Sequence, residues 1–176
     1  MRNEAEVCSI ITRSYDKLVK IPDPSGNFTQ TSIRCFDGIG TLPISVIYKD
    51  ETEEKDAFVC WEAKHLKGMQ AFSFKRVEPH QDYYLAEYSK CDNVYALLLV
   101  GVSVARGDNR IYVFDYNTCG HYLYQANWSI HKQYLEKLPY NKVSKGQFKI
   151  ENIIRWPELI TAYGSLLFKS EIMSKI

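Results

Sequence analysis

The sequence predicts one α/β domain in which helices flank a central mixed β-sheet. The predicted elements follow the order helix, three strands, helix, two strands and further helices, which places both element types around one sheet. An unbroken apolar run at residues 58–61 and a largely apolar stretch at residues 95–104 are typical of central strands that are covered on both faces. The chain has 176 residues and no long polar linker, so residues 1–176 are assigned to a single domain.

The first predicted helix covers residues 3–20. Asn3 is a suitable N-terminal cap, and Glu4 and Glu6 lie in the first turn, where the helix dipole favours acids. At about 100° per residue, Glu4 lies close to the apolar stripe and is expected to face inward, whereas Glu6 is expected in solvent as a partner for Lys or Arg. The alternative is that both acids lie at the surface and complement the dipole. The stripe consists of Val7, Ile10, Ile11, Tyr15 and Leu18.

Three strands are predicted next, over residues 28–36, 42–48 and 58–64. Between the first two, residues 37–40 read Asp-Gly-Ile-Gly, and the repeated glycine indicates a tight turn or a close backbone approach. Residues 49–56 are almost all charged and indicate a solvated hairpin tip between the second and third strands.

The second half of the chain continues with a helix and a β-hairpin. A proline at the start of residues 79–90 favours a helix there. Residues 95–104 form the strongest predicted strand, and a Gly-Asp-Asn turn joins them to a hairpin partner over 110–116. Two further helices are predicted over 128–138 and 157–168.

The composition argues against a membrane protein and against general polyanion binding. The longest apolar run is too short to span a bilayer, so no membrane partner is expected. The formal net charge is only +1, so nucleic-acid binding would require local clusters of basic side chains. Five cysteines, an odd number with no Cys-x-x-Cys pair, and no signal peptide favour free thiols in a reducing compartment, and therefore a cytoplasmic location.

Two charged residues follow the buried run of residues 58–61. Glu62 and Lys64 are two positions apart in a strand, so both side chains leave the same face, while Ala63 points the other way. Charges at the end of a buried strand are costly unless they are used. A divalent cation would use the carboxylate, and Lys64 could then neutralise developing negative charge or position a water. The structural alternative is an ion pair at the surface.

Other polar residues are predicted near this strand end. Asp37 lies at the end of a predicted strand, Glu4 on the first helix and Gln81 at the start of the second helix. Carboxylates gathered at strand ends make a hard oxygen site that suits Mg²⁺ or Mn²⁺. With a lysine beside it, such a site suits phosphodiester hydrolysis. The structural alternative for Asp37 is an ordinary turn aspartate before glycine.

These motifs resemble those of the PD-(D/E)xK nuclease superfamily, and most closely the RecU-type Holliday junction resolvases. Residues 58–64, Phe-Val-Cys-Trp-Glu-Ala-Lys, are similar to that family's hydrophobic-aromatic-Glu-Ala-Lys strand. The segment from Phe72 to Gln81, with Pro-His-Gln at its end, is similar to its Phe…His-Gln helix start. Phe36-Asp37-Gly is similar to its Asp-aromatic-x-Gly turn, in a different order. The resemblance covers roughly residues 4–116.

The resemblance implies a restriction-endonuclease-like fold with a metal site. In that interpretation Asp37 and Glu62 ligate Mg²⁺ or Mn²⁺, and the Ala63 carbonyl adds a ligand. Glu4 would be a further acid in the metal shell, with Glu6 as the other candidate for the helix-borne acid.

The resemblance also implies roles for the neighbouring polar residues. Lys64 would position or activate the attacking water, and Gln81 would orient Lys64 or contact the scissile phosphate. Resolution of a four-way junction needs two symmetric nicks, so a homodimer acting on branched DNA is implied.

A group of basic residues follows the predicted site and could hold DNA phosphates. Its members are Lys67, Lys75, Arg76 and His80. The alternative is a solvated loop, and a lone histidine such as His65 or His80 is more often a polar surface residue or a phosphate contact than a metal ligand. A second basic patch consists of Lys142, Lys145 and Lys149.

Four functions are therefore open from the sequence. The first is a metal-dependent DNA endonuclease of the RecU type. The second keeps the chemistry but acts on duplex or branched DNA, as a restriction-type or phage DNA-processing nuclease does. The third is a DNA-binding protein whose catalytic site has decayed, and the fourth is a domain with no nucleic-acid role.

Overall fold

Five α-helices and eight β-strands form the part of the chain that the computed structural model describes, residues 1–21, 36–48 and 51–164. The strands are β1 (Leu18–Lys20), β2 (Gly38–Tyr48), β3 (Glu51–Lys67), β4 (Phe72–Ser73), β5 (Val94–Ala105), β6 (Asp108–Asp115), β7 (Ser129–Ile130) and β8 (Asn141–Lys142). The helices are α1 (Glu4–Ser14), α2 (Pro79–Tyr88), α3 (His121–Gln125), α4 (Lys132–Leu135) and α5 (Trp156–Tyr163).

Six strands form one mixed sheet in the order β1-β2-β3-β5-β6-β8. β3 pairs in parallel with β5, and the other neighbours in this sheet pair antiparallel. The parallel pair requires a crossover, and α2 lies in that crossover. The α/β class with a central mixed sheet flanked by helices is confirmed.

Both faces of β3 are covered, as its apolar run predicts. Trp61 and Ala63 pack in the cluster that contains the buried residues of α1. Cys60 and Leu66 point to the opposite face and pack in the cluster that contains Leu85 of α2. Because side chains alternate along a strand, Glu62 and Lys64 lie on the α2 face.

Helix α1 is shorter than predicted. Its cap is confirmed, since the Asn3 side chain accepts the backbone N–H of Glu6 at 3.0 Å. The helix ends at Ser14 because Tyr15 is extended, and residues 18–20 pair with β2 instead of continuing the helix. Leu18 is buried as a residue of β1, so an apolar residue at position 18 fits both the predicted helix and the observed strand.

Residues 38–40 are the start of β2 and not a turn. The predicted close backbone approach is confirmed, because β1 lies directly against this segment and pairs with it. A Cβ atom on Gly40 would lie 2.0 Å from the Lys17 carbonyl oxygen, and one on Gly38 would lie 2.4 Å from the Val19 carbonyl oxygen. Glycine is therefore needed for space at both positions.

Two strand predictions change. Residues 51–56, predicted as part of a charged tip over 49–56, belong to β3 and pair with β2. β5 reaches β3 only as far as Phe58, so among the described strands β2 alone pairs with this stretch. Residues 49–50 and 28–35 lie outside the described residues, and Phe36 is buried but is not part of a strand.

The second helix and the hairpin agree with the prediction. α2 begins at Pro79 as expected and ends at Tyr88, two residues before the predicted end. β5 and β6 pair antiparallel through a turn in which Gly107 has a φ of +84°. Positive φ is readily adopted by glycine, which explains this turn residue.

The two C-terminal helix predictions are only partly correct. Within 128–138, Ser129–Ile130 is a strand that pairs with β4, and only Lys132–Leu135 forms an α-helix. α5 includes the expected Pro157 but ends at Tyr163, where Gly164 adopts a φ of +83°. Residues 165–168 of that prediction lie outside the described residues.

The described cysteines agree with the thiol prediction. Cys8, Cys60, Cys91 and Cys119 are thiols and not disulfides, and burial raises the pKa of the Cys60 thiol to about 12. Cys35 lies outside the described residues. Of the helices within 1–21, 36–48 and 51–164, none has both the length and the apolar character that a membrane crossing requires.

We expect Gly40→Ala to destabilise the fold by about 3 kcal/mol or more, because the added methyl group meets backbone that can move only if β1 separates from β2. Gly68→Ala is the matched control. At Gly68 the added Cβ has no atom of the described residues within 4 Å, but φ is +82°, so only backbone strain of about 1–2 kcal/mol applies there. Urea unfolding of both variants measures the difference, and equal losses would contradict the close approach of β1.

Candidate active site

Glu62, Lys64 and Gln81 form a buried polar cluster on the α2 face of the sheet. Lys64 Nζ donates to Glu62 Oε1 at 2.8 Å and to Gln81 Oε1 at 3.1 Å. Gln81 Nε2 donates to the same Glu62 oxygen at 2.7 Å. Glu62 is only 1% exposed, and Lys64 and Gln81 are 5% exposed. The predicted pair is therefore present and buried, and the alternative of a surface ion pair is wrong.

The start of α2 fixes the position of Gln81. Its Oε1 also accepts the backbone N–H of Glu78 at 3.0 Å. That N–H belongs to the helix start, where backbone donors have no partner within the helix. Because Oε1 faces two donors and Nε2 faces a carboxylate, the orientation of the carboxamide is determined. One side chain therefore both caps the helix and contacts both charges.

Asp37 lies beside this cluster and directly precedes the first residue of β2. Gly38 pairs with Trp61 in the last register position of β2 and β3, so the next residues on the two chains are Asp37 and Glu62. Asp37 is buried, and its Oδ2 accepts the backbone N–H of Ala63 at 2.8 Å. The Asp37 carboxylate thus takes the place of a backbone carbonyl of β2 as the acceptor for the Ala63 N–H. The alternative that Asp37 is only a turn residue before glycine does not account for this hydrogen bond.

The oxygen donors at this position suit a hard cation. A strand residue directs its N–H and C=O toward the same neighbour, so the Ala63 carbonyl faces the side on which Asp37 lies. Asp37, Glu62 and this carbonyl give two carboxylates and one neutral oxygen. Mg²⁺ is commonly held by one or two carboxylates with waters completing the shell, so the residues fit such an ion. Within the described ranges, no three His, Cys, Asp or Glu side chains lie together as a metal-holding group.

Glu4 does not join Asp37 and Glu62. Its side chain is 46% exposed and lies 3.5 Å from the guanidinium of Arg76, so the expectation that it faces inward is wrong. Glu4 lies in the first turn of α1, where its side chain remains in solvent. Glu6 is also at the surface, where its carboxylate accepts the backbone N–H of Arg2. The structure therefore gives no third acid from α1.

The predicted phosphate contacts lie between Lys64 and Gln81 in the chain. Lys67 follows Lys64 on β3, and Lys75 and Arg76 precede α2; all three are exposed. His80 is half-buried, with Nδ1 3.4 Å from the Glu78 carboxylate. A role of these residues in binding nucleic acid stays a prediction. The second basic patch is also exposed and consists of Lys142, Lys145 and Lys149.

The buried residue Asp82 is the centre of a second polar cluster, which no motif in the sequence predicts. Tyr116 Oη donates to Asp82 Oδ1 at 2.6 Å, and His121 Nδ1 lies 2.9 Å from the same oxygen. Gln125 Nε2 lies 3.4 Å from Asp82 Oδ2. These partners are 34, 39 and 43 positions from Asp82, so no local motif joins them. The one available signal is that Asp82 directly follows Gln81.

His65 lies on the other face of β3 and is buried, so its expected surface position is wrong. It alternates with Lys64 along the strand, and its Nε2 lies 3.4 Å from Ser103 Oγ. Burial lowers the pKa of His65 below the ordinary histidine value. The residue is therefore separated from the cluster of Glu62 and belongs to the packing against α1.

A cavity of about 1020 Å³ lies elsewhere, along α4 and the end of α5. Its lining includes Trp128, His131, Glu136 and Tyr163 and none of the predicted site residues. It has no buried pair of opposite charges, so its chemistry is less specific than that of the Glu62 cluster.

Comparison with known proteins does not assign the chain to a family. No family model matches the chain, and no curated protein matches its sequence.

We expect Lys64→Met to cost about 3–5 kcal/mol of unfolding free energy, because it leaves the buried Glu62 carboxylate without its counter-charge. The double variant Glu62→Gln with Lys64→Met should recover most of that loss, since the buried charge is then gone. Lys67→Met is the matched control on the exposed end of the same strand, with an expected change within about 0.5 kcal/mol. Urea unfolding tests all three, and a Lys64→Met loss no larger than the control would contradict the buried pair.

The buried His65 should make the fold less stable at acidic pH. Its pKa is lowered in the folded state, so below about pH 6.5 the unfolded chain takes up a proton more readily and the unfolding free energy falls. We expect wild type to lose more stability than His65→Gln between about pH 7.5 and about pH 5.5. Urea midpoints at both pH values measure this, with His131→Gln as the exposed control. Parallel pH profiles for wild type and His65→Gln would refute it.

Proposed function

We propose that this chain is a metal-dependent endonuclease that hydrolyses phosphodiester bonds in DNA. The observation that carries this proposal is the buried network of Lys64, Glu62 and Gln81 with the Asp37 carboxylate beside it. A buried ion pair is often less stabilising than apolar residues of the same volume. A nuclease site gives these charges a use that stability alone does not.

The order of elements supports the same proposal. α1, the strands β1 to β3, α2 and the parallel strand β5 follow one another in the chain, with β3 central in the sheet. This order resembles the helix, β-hairpin, strand, helix and strand plan of the PD-(D/E)xK nucleases. A restriction-endonuclease-like fold is therefore part of the proposal.

The residues at the end of β3 have distinct proposed roles. Asp37 and Glu62 would hold Mg²⁺ or Mn²⁺ together with the Ala63 carbonyl, and the bound metal would lower the pKa of a water and offset phosphate charge. Lys64 orients the attacking water and compensates charge that develops on the phosphate. Gln81 keeps the Lys64 ammonium in place through its 3.1 Å hydrogen bond.

DNA binding would rest on local positive charge, because the net charge of the chain is only +1. Lys67, Lys75, Arg76 and His80 lie between Lys64 and Gln81 in the chain and are proposed to hold phosphates of the bound DNA. Arg76 also lies near Glu4, so DNA would exchange one anionic partner of the guanidinium for another.

A RecU-type junction resolvase is the form of this activity that the motifs favour. Paired nicks across a four-way junction would need two copies of the site, so the proposed enzyme is a homodimer that acts on branched DNA in the cytoplasm. A restriction-type or phage DNA-processing nuclease with the same site would prefer other DNA structures. A decayed site would bind DNA without cutting it.

Cleavage of labelled DNA with added Mg²⁺ or Mn²⁺ tests the proposal. Wild type should nick DNA with metal and not with EDTA. Glu62→Gln and Lys64→Met should each lower the rate by about 100-fold or more, since each removes a group that acts on the metal or the water. Glu87→Gln, an exposed acid on α2, is the matched control and should keep the wild-type rate.

The DNA structures that are cut separate the alternatives. Paired symmetric nicks in a mobile four-way junction support the resolvase form, whereas preference for linear duplex or flaps supports the restriction-type or processing form. Cleavage that is equal in wild type, Glu62→Gln and Lys64→Met would overturn the proposed site. Salt-sensitive binding without metal-dependent cleavage would leave the decayed binding protein.

A further inference from the structure

His121 is held by one ring nitrogen and offers the other. Nδ1 lies 2.9 Å from Asp82 Oδ1, and a carboxylate can only accept, so the Nδ1 proton is directed at Asp82. The His121 side chain is 35% exposed, whereas that of Asp82 is 7% exposed. Within the described residues, Nε2 of His121 makes no hydrogen bond. The hydrogen bond to Asp82 therefore fixes the His121 ring, while Nε2 remains available to a substrate.

An unusual turn produces this orientation. Residues Tyr116–Gly120 form a π-helical turn, and the backbone N–H of His121 donates to the Tyr116 carbonyl. This turn directs Tyr116 and His121 to the same Asp82 oxygen. A Cβ on Gly120 would lie 2.5 Å from the Tyr116 ring, so glycine is needed for the turn to close over that ring. π-helical turns are rare and often lie at functional sites.

The Asp82 cluster adjoins the proposed metal site. Asp82 and Gln81 are consecutive residues of α2, so their Cα atoms are about 3.8 Å apart. Gln81 contacts Glu62 and Lys64, while Asp82 contacts His121 and Tyr116. Burial chiefly raises the pKa of Tyr116, and the charges of Asp82 and, to a smaller degree, Glu62 raise it further. The Glu62 charge is therefore close enough to act on Tyr116 of the second cluster.

An aspartate behind a histidine is the arrangement that proteins use for proton transfer, because the carboxylate fixes the ring and compensates its positive charge. Lys64 already lies beside Glu62, where the attacking water is proposed. The group that still needs a proton in phosphodiester hydrolysis is the leaving oxygen. His121 is the polar side chain next to the cluster that has both a fixed ring and an available proton position.

We infer that His121 is the general acid of the proposed nuclease and that Asp82 is its positioning residue. This inference rests on the proposed function. A bond forms between the water oxygen and phosphorus, and the bond between phosphorus and the ester oxygen breaks. The electron pair stays on the leaving oxygen, which takes the proton from His121 Nε2. The water loses a proton to solvent, and His121 is reprotonated from solvent.

Substituting the leaving atom tests this role directly. Two DNA substrates carry sulfur in place of the bridging oxygen on the 3′ or the 5′ side of the cleaved phosphate, and the ends of the products show which side leaves. A thiolate leaves without protonation, because thiols have a pKa of about 8.5, against about 15.7 for water. A variant that lacks the general acid should therefore be slow on ordinary DNA and close to wild type on DNA with sulfur at the leaving position.

His121→Asn is the main variant. The asparagine amide nitrogen is as far from Cβ as Nδ1 is, so it can keep the bond to Asp82 while Nε2 is lost. We expect a loss of about 100-fold or more on ordinary DNA and a rate within a few-fold of wild type on the sulfur substrate. Asp82→Asn should show a smaller loss with the same rescue. His131→Gln, an exposed histidine outside the cluster, is the matched control and should match wild type on both substrates.

The outcomes separate this inference from the function on which it rests. Glu62→Gln should remain slow on both substrates, because its defect does not concern the leaving group. If His121→Asn is as fast as wild type on ordinary DNA, or equally slow on both substrates while thermal unfolding shows it folded, the inference is wrong. His121→Gln provides the same comparison if His121→Asn does not fold. If wild type cleaves neither substrate, the proposed nuclease function itself fails.

Discussion

The Glu62 carboxylate is buried in the middle of the molecule, and much of the local structure follows from the need to compensate its charge. It is only 1% exposed, and its Oε1 accepts from both Lys64 and Gln81. Lys64 can reach it because a spacing of two in β3 places both on one face. Gln81 can reach it because α2 begins directly over that face. The Glu62 carboxylate thus links the central strand β3 to the start of α2 in the crossover.

The parts of the site that the sequence predicts are those governed by short-range periodicity. The buried pair follows from the alternation of a strand, and the position of Gln81 follows from a helix that begins at Pro79. Both rules act over a few residues and need no knowledge of the tertiary fold. The central positions of β3 and β5 are likewise predicted by the apolar run of residues 58–61 and the largely apolar residues 95–104.

The errors arise where one pattern fits two conformations or where contacts are distant in sequence. Leu18 completes a helical stripe but is buried from β1, because backbone pairing with β2 replaces the helix. Glu4 lies at the helical spacing of the apolar stripe, but helical periodicity does not say how deeply a side chain is buried. Its ion pair with Arg76 lies at the surface. Asp82 and His121 meet only after α2 and α3 pack together, so no spacing rule could join them.

The carboxamide of Gln81 has a consequence for how mutations in this region are interpreted. It accepts the N–H of Glu78, the residue before α2, and at the same time contacts both buried charges. Asparagine, one methylene shorter, cannot reach all of these partners from the same backbone position. Any substitution at this residue therefore changes the start of α2 together with the electrostatics of Glu62. The start of α2 and the charge balance of the cluster therefore cannot be varied independently through this residue.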